Sequence, residues 1–84
     1  MKKELKCIFD RKKSFYGKAN IKVEGNKLIL ISYGSEVAFI KDNKPLVMGV
    51  YSQTTSRHIK EFLKQNGFKA ETSKQILEDY GVKE

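Results

Sequence analysis

Residues 51–62, YSQTTSRHIKEF, hold most of the side chains that could do chemistry in this chain. Ser52, Thr54, Thr55 and Ser56 put four hydroxyls within five positions, and Arg57 and the sole histidine, His58, follow at once. A hydroxyl beside an imidazole suggests nucleophilic catalysis. That chemistry needs a carboxylate to orient the base and a nucleophile in a strained context such as G-x-S-x-G, and no serine here has one. The same hydroxyls suit the start of a helix, which leaves about four N–H groups unpaired and favours Ser, Thr, Asp or Asn as the cap. One of Thr54, Thr55 or Ser56 suffices for capping. Surplus hydroxyls around free N–H groups can hold a phosphate or sulfate. Arg57 adds to this, because a cation in the first turn opposes the helix dipole by about 0.3–1 kcal/mol unless an anion lies near. Thr54, Thr55 and Arg57 are therefore a candidate anion site, although no P-loop spacing surrounds them. The alternative is a cap followed by β-branched residues that end a strand. His58, beside the apolar Ile59, reads as a partly buried histidine bonded to backbone.

The second candidate is RKKSFYGK, residues 11–18, where four cations meet two aromatics. Proteins that hold single-stranded nucleic acid join a basic track to rings on which bases stack. Strand alternation turns Phe15 inward and Tyr16 outward, on the side of Lys18 and Lys22. Arg11, Lys12, Lys13, Tyr16, Lys18 and Lys22 are thus a candidate nucleic-acid surface. The two-aromatic signature of an RNA-recognition motif is absent, and a solvated strand face with one amphipathic tyrosine is the competing account. One histidine among scattered carboxylates makes no recognisable metal site, and no cofactor pattern occurs. Glu78 and Asp79 are adjacent on a helix and diverge. Cys7, the only cysteine, allows neither an internal disulfide nor a Cys-based zinc site and reads as a small core residue.

Charge supports the second candidate. The net charge is +7, and residues 1–27 carry nine Lys or Arg against three acids. That asymmetry points to a polyanionic partner, or to lysines that serve solubility alone. The apolar runs are too short to span a bilayer, and MKKELKCIFD lacks the apolar stretch of a signal peptide. A cytoplasmic protein without membrane contact is expected.

Eighty-four residues make a single domain, 1–84. The expected fold is α+β: an antiparallel four- to five-stranded meander over about residues 5–51, then two short C-terminal helices over about residues 55–66 and 73–80. A first strand is expected at 5–9, with Leu5, Cys7 and Phe9 inward. A second runs through SFYGKANIKVEG, where Phe15, Gly17, Ala19, Ile21 and Val23 alternate with polar residues. KLILISY, EVAFIK and KPLVMGVY follow, separated by Gly25-Asn26, Gly34-Ser35 and Asp42-Asn43. Ile59, Phe62 and Leu63 form one helical stripe, and Ile76, Leu77 and Tyr80 another. Ser73 or Thr72 should cap the second helix, and Gly67 and Gly81 should end both helices in Schellman turns. KLILISY is apolar on both faces, so the sheet curls, the helices divide, or a partner covers one side.

SFYGKA, SYGSEVAFI and YSQTTSRHIKEFLKQNGF together resemble a group of small domains of unknown function encoded mostly in phages and prophages. The likeness covers about residues 14–68, with Ser35 where the group usually has Thr. The resemblance implies a mobile-element origin and one compact domain, and it implies no activity. It places Tyr33, Tyr51, Thr54, Thr55, Arg57 and His58 in a shared pattern. The expectation is a non-enzymatic phage-type accessory protein that binds nucleic acid. The alternative is a factor that binds or inhibits a host protein, acting as a homodimer.

Overall fold

Three two-residue turns lay out the sheet. In a computed structural model, which describes residues 2–11, 14–49 and 51–82, β2 (Ala19–Glu24), β3 (Lys27–Ser32), β4 (Ser35–Lys41) and β5 (Lys44–Val47) follow one another through Gly25-Asn26, Tyr33-Gly34 and Asp42-Asn43. The second turn thus falls one residue earlier than expected. Its two residues have φ of 51° and 81°, and those of the third 52° and 63°. Positive φ at both central positions is the type I′ geometry, whose twist matches that of the paired strands. β1 (Lys2–Glu4) pairs with β2, which gives an antiparallel sheet of order β1-β2-β3-β4-β5. Two helices, α1 (Gln53–Gln65) and α2 (Ser73–Tyr80), complete an α+β fold.

Period-two alternation decides which side chains meet the helices. Ile21, Leu30, Ala38 and Val47 stand in register across four strands. They join Ile59, Phe62, Leu63 and Ile76 in one buried cluster. A bulge sets Ile31 opposite Glu36 while Leu30 stays opposite Ala38, so Val37 is the extra residue; it and Ala38 both enter the core. Both helices therefore cover one face. The other carries the row Lys22, Ile29, Phe39 and Leu46, and the Lys27 ammonium lies 4.3 Å from the Phe39 ring centre. The apolar second face of β3 is thus sealed by strand neighbours rather than by a helix.

Three boundaries depart from the sequence reading. The first strand ends at Glu4, and of the expected inward set Leu5, Cys7 and Phe9 only Leu5 is fully buried; Cys7 is half-buried and Phe9 exposed. The chain leaves the sheet because a side chain on α1 takes up its N–H groups, as described below. The second strand starts at Ala19, since Tyr16-Gly17 is a left-handed turn. α1 begins two residues early because its cap is Ser52, whose hydroxyl accepts the Thr55 N–H (3.3 Å), and not Thr54, Thr55 or Ser56.

The helix ends differ. Gly67 (φ 84°) closes α1 in the expected Schellman turn, with the Phe68 N–H donating to Leu63 O (2.9 Å). Thr72 caps α2. Gly81 is not left-handed (φ −68°), so the expected Schellman turn is not formed; it bridges to Val47, the Val82 N–H donates to Val47 O (3.1 Å), and the Val82 side chain is exposed. Glycine is needed there because a Cβ would run into the Leu77 carbonyl. Gly81→Ala should therefore destabilise the fold by about 1–3 kcal/mol, read as a lower urea midpoint together with faster amide exchange at Val82.

Candidate nucleic-acid interface

The hydroxyl and histidine cluster turns inward. Ser32 Oγ lies 3.0 Å from Thr55 Oγ1 and 2.8 Å from His58 Nδ1, and all three residues are buried. His58 is enclosed completely, rather than partly as expected. The Phe15 ring meets it edge-on at 4.4 Å and the Tyr33 ring lies 5.8 Å away. A buried polar group needs a partner, and this trio supplies one while tying β3 to α1. Thr55 is thereby withdrawn from the expected anion site. Thr54 is half-buried and Arg57 exposed, so of the three only Thr55 is closed off from solvent.

Glu61 is the residue that the sequence reading missed. Its carboxylate is buried, accepting Phe9 N–H (2.9 and 3.1 Å at its two oxygens), Asp10 N–H (2.8 Å) and the Gln65 amide (2.6 Å). A carboxylate can accept several donors at once, and these fix the loop after β1. The available signal was an acid wedged between Ile59 and Phe62. Its burial also alters the charge of α1. Glu61 is the one acid among residues 53–65, so only cations remain as charged groups on the outward face. Arg57, Lys60 and Lys64 are spaced i, i+3, i+7; all three line a groove with Phe9, Asp10 and Glu61, and Arg57 and Lys60 line a second with Gln53, Ser56 and Ser73.

The expected basic track is divided. Tyr16 and Lys18 lie at the end of the sheet, both exposed. Lys22 lies along β2, 2.9 Å from Glu24. The hydrogen bond and charge of Glu24 hold the Lys22 ammonium above its ordinary pKa, and the same contact holds the Glu24 carboxyl below its own. Arg11 is exposed just beyond the loop held by Glu61. Lys12 and Lys13 lie outside the described residues.

At the sheet end, two Tyr-Gly turns sit side by side. Tyr16-Gly17 has φ of 52° and 76°, the same hand as Tyr33-Gly34. The Tyr33 N–H donates to Lys18 O (2.9 Å), which locks one turn against the other. Glu4 accepts the Gly17 N–H (3.0 Å), and Ser14 Oγ accepts the Tyr16 N–H (2.9 Å). A bulky residue in the left-handed region is uncommon and costs about 1–2 kcal/mol. Both rings are nonetheless outside, Tyr16 at 77% and Tyr33 at 55% exposure.

A family model described as a family of unknown function, DUF8033, matches residues 3–79. The chain belongs to the DUF8033 family. The match takes in both Tyr-Gly turns, Glu61 and the cations of α1. No curated protein and no solved structure matches the chain. DUF8033 has no assigned activity, so its chemistry must be argued from geometry. Among the described residues of this DUF8033 domain, no three His, Cys, Asp or Glu side chains are grouped to hold a metal ion, and no helix is long and apolar enough to cross a membrane.

Proposed function

We propose that this DUF8033 protein is a small non-enzymatic nucleic-acid-binding module, of the accessory kind that phage-type genomes encode, acting in the host cytoplasm. The observation that carries this reading is the outward face of α1. Arg57 and Lys60 line both of its grooves and Lys64 one of them, while Glu61, which lines that one with Asp10, is buried and has its carboxylate bonded to backbone N–H groups. Such a row suits a chain of phosphates, because each neutralised phosphate releases condensed counterions. Arg11 and Lys18 extend the positive surface. Lys22 contributes less, being offset by Glu24.

The test is binding of labelled single- and double-stranded DNA and RNA across a salt series. Affinity should fall steeply with salt. Arg57→Gln/Lys60→Gln/Lys64→Gln should lower the log–log slope by about two to three. No binding by the parent protein even at low salt would sink the proposal, and an unchanged slope in the triple variant would remove α1 from the site.

A second reading is a protein-binding factor, such as an inhibitor of a host protein, acting as a homodimer. Phe39 and Leu46 favour it, as half-buried residues on the face that no helix covers. Light scattering at rising concentration would detect such a dimer.

A further inference from the structure

The hairpin turns of this sheet contain their own control. Between β4 and β5 the left-handed positions are filled by Asp42 and Asn43, residue types that tolerate positive φ. At the opposite end of the same strands, the left-handed positions before β2 and between β3 and β4 are filled by Tyr16 and Tyr33. Turn formation does not account for that choice, since asparagine or aspartate would form the same turns with less strain. Burial does not account for Tyr16 either, because most of its surface faces water. The Tyr33 ring lies 5.8 Å from that of His58 and is still more than half exposed.

We infer that Tyr16 and Tyr33 form a paired stacking platform for two bases of a single-stranded nucleic acid, with Lys18 between them on the phosphates. This rests on the nucleic-acid reading above and specifies its partner. The backbone bond from Tyr33 N–H to Lys18 O brings the two turns together, so the rings belong to one end of the sheet. Every base has a π face, so stacking on tyrosine is tolerant of sequence. A duplex keeps its bases stacked on one another and offers these rings little, which makes single strands the fitting partner. His58, beneath Tyr33, is the chain neighbour of Arg57. The bonds from Ser32 to Thr55 and His58 set this end of the sheet beside α1. Of the acids at this end, Glu4 is engaged by the Gly17 N–H and lies 3.4 Å from the Ser14 hydroxyl, while Glu36 is exposed on β4 one register step in from the Tyr33-Gly34 turn.

The experiment compares Tyr16→Asn, Tyr33→Asn and the parent, with an oligothymidylate of about ten nucleotides and a duplex of equal length as probes. Tyr16→Asn should melt at the same temperature as the parent or higher, because the strain is relieved. It should bind the oligothymidylate about tenfold more weakly, with an unchanged salt slope and unchanged duplex affinity. Tyr33→Asn should lose as much affinity. Tyr16→Trp introduces the only tryptophan in a chain that has none, and its fluorescence should be quenched as the oligothymidylate binds. Undiminished single-strand binding in both asparagine variants would overturn the platform while leaving the nucleic-acid reading intact. So would an unquenched tryptophan, or equal losses on duplex and single strand. Absence of all binding by the parent would overturn both.

Discussion

Glu61→Ala should lower stability by about 2–4 kcal/mol and release the loop after β1. The carboxylate is buried, and donors from Phe9, Asp10 and Gln65 converge on it. Hydrogen bonds to a charged group contribute about 1.5–3 kcal/mol, and stranding their donors adds a penalty. Part of that penalty is recovered when the loop detaches and its N–H groups reach water, which keeps the total below the sum of the bonds. Glu61→Gln separates charge from shape. Its one oxygen can still accept the two backbone N–H groups, but its new amide faces the Gln65 amide, which already donates to Lys6 O (2.6 Å). It should lie between the parent and the alanine variant in a urea titration. Hydrogen exchange at the amides of residues 9 and 10 should rise in the same order. A Glu61→Ala variant with parental stability and protected amides would refute this account of the loop.

Phe62→Ala carries the larger loss. Phe62 is completely buried and packs in the cluster that joins α1 to the sheet. Truncating a buried phenylalanine costs about 3–5 kcal/mol through lost transfer energy and the cavity left behind. A domain of this length has about 4–13 kcal/mol in all, and each kcal/mol moves its melting point by about 4–8 °C. The expected fall is about 15–30 °C by calorimetry. Phe62→Leu, which refills most of the space, should recover about half. A fall of only a few degrees in Phe62→Ala would mean that α1 contributes little to holding the sheet.

The fold was legible where a local pattern and its neighbours agreed. Turn residues at 25–26 and 42–43, alternation from Ala19 to Ile21, and the stripe of Ile59, Phe62 and Leu63 gave the meander and the first helix. Legibility failed where a distant group overrode a local pattern. Leu5, Cys7 and Phe9 alternate like a strand, but only Glu61, far along the chain, determines that Phe9 leaves the sheet. Gly81 follows an amphipathic helix as a left-handed cap would, yet Val47 draws it into a bridge. The candidate site was legible in part. Tyr16 and Lys18 are exposed as expected, and the repeated Tyr-Gly dipeptide was visible. Nothing local showed that the two copies would lie together, or that Thr55 and His58 would bond to Ser32.

The strand order also bears on how the chain assembles. Each strand pairs with its predecessor, so the hairpins from β2 to β5 close over two residues and lose little entropy in doing so. The bonds from Glu61 to Phe9 and Asp10 join residues more than 50 positions apart, and a closure of that length forms after the local ones. The same order in reverse governs opening. The loop at Phe9 and the tail at Gly81 should therefore exchange their amides faster than the hairpin that carries Tyr33. Changes at Glu61 should therefore act on the unfolding rate and leave the folding rate nearly untouched. The surface proposed for nucleic acid spans both kinds of closure, with Tyr33 on a two-residue hairpin and the groove beside Phe9 on the long-range loop.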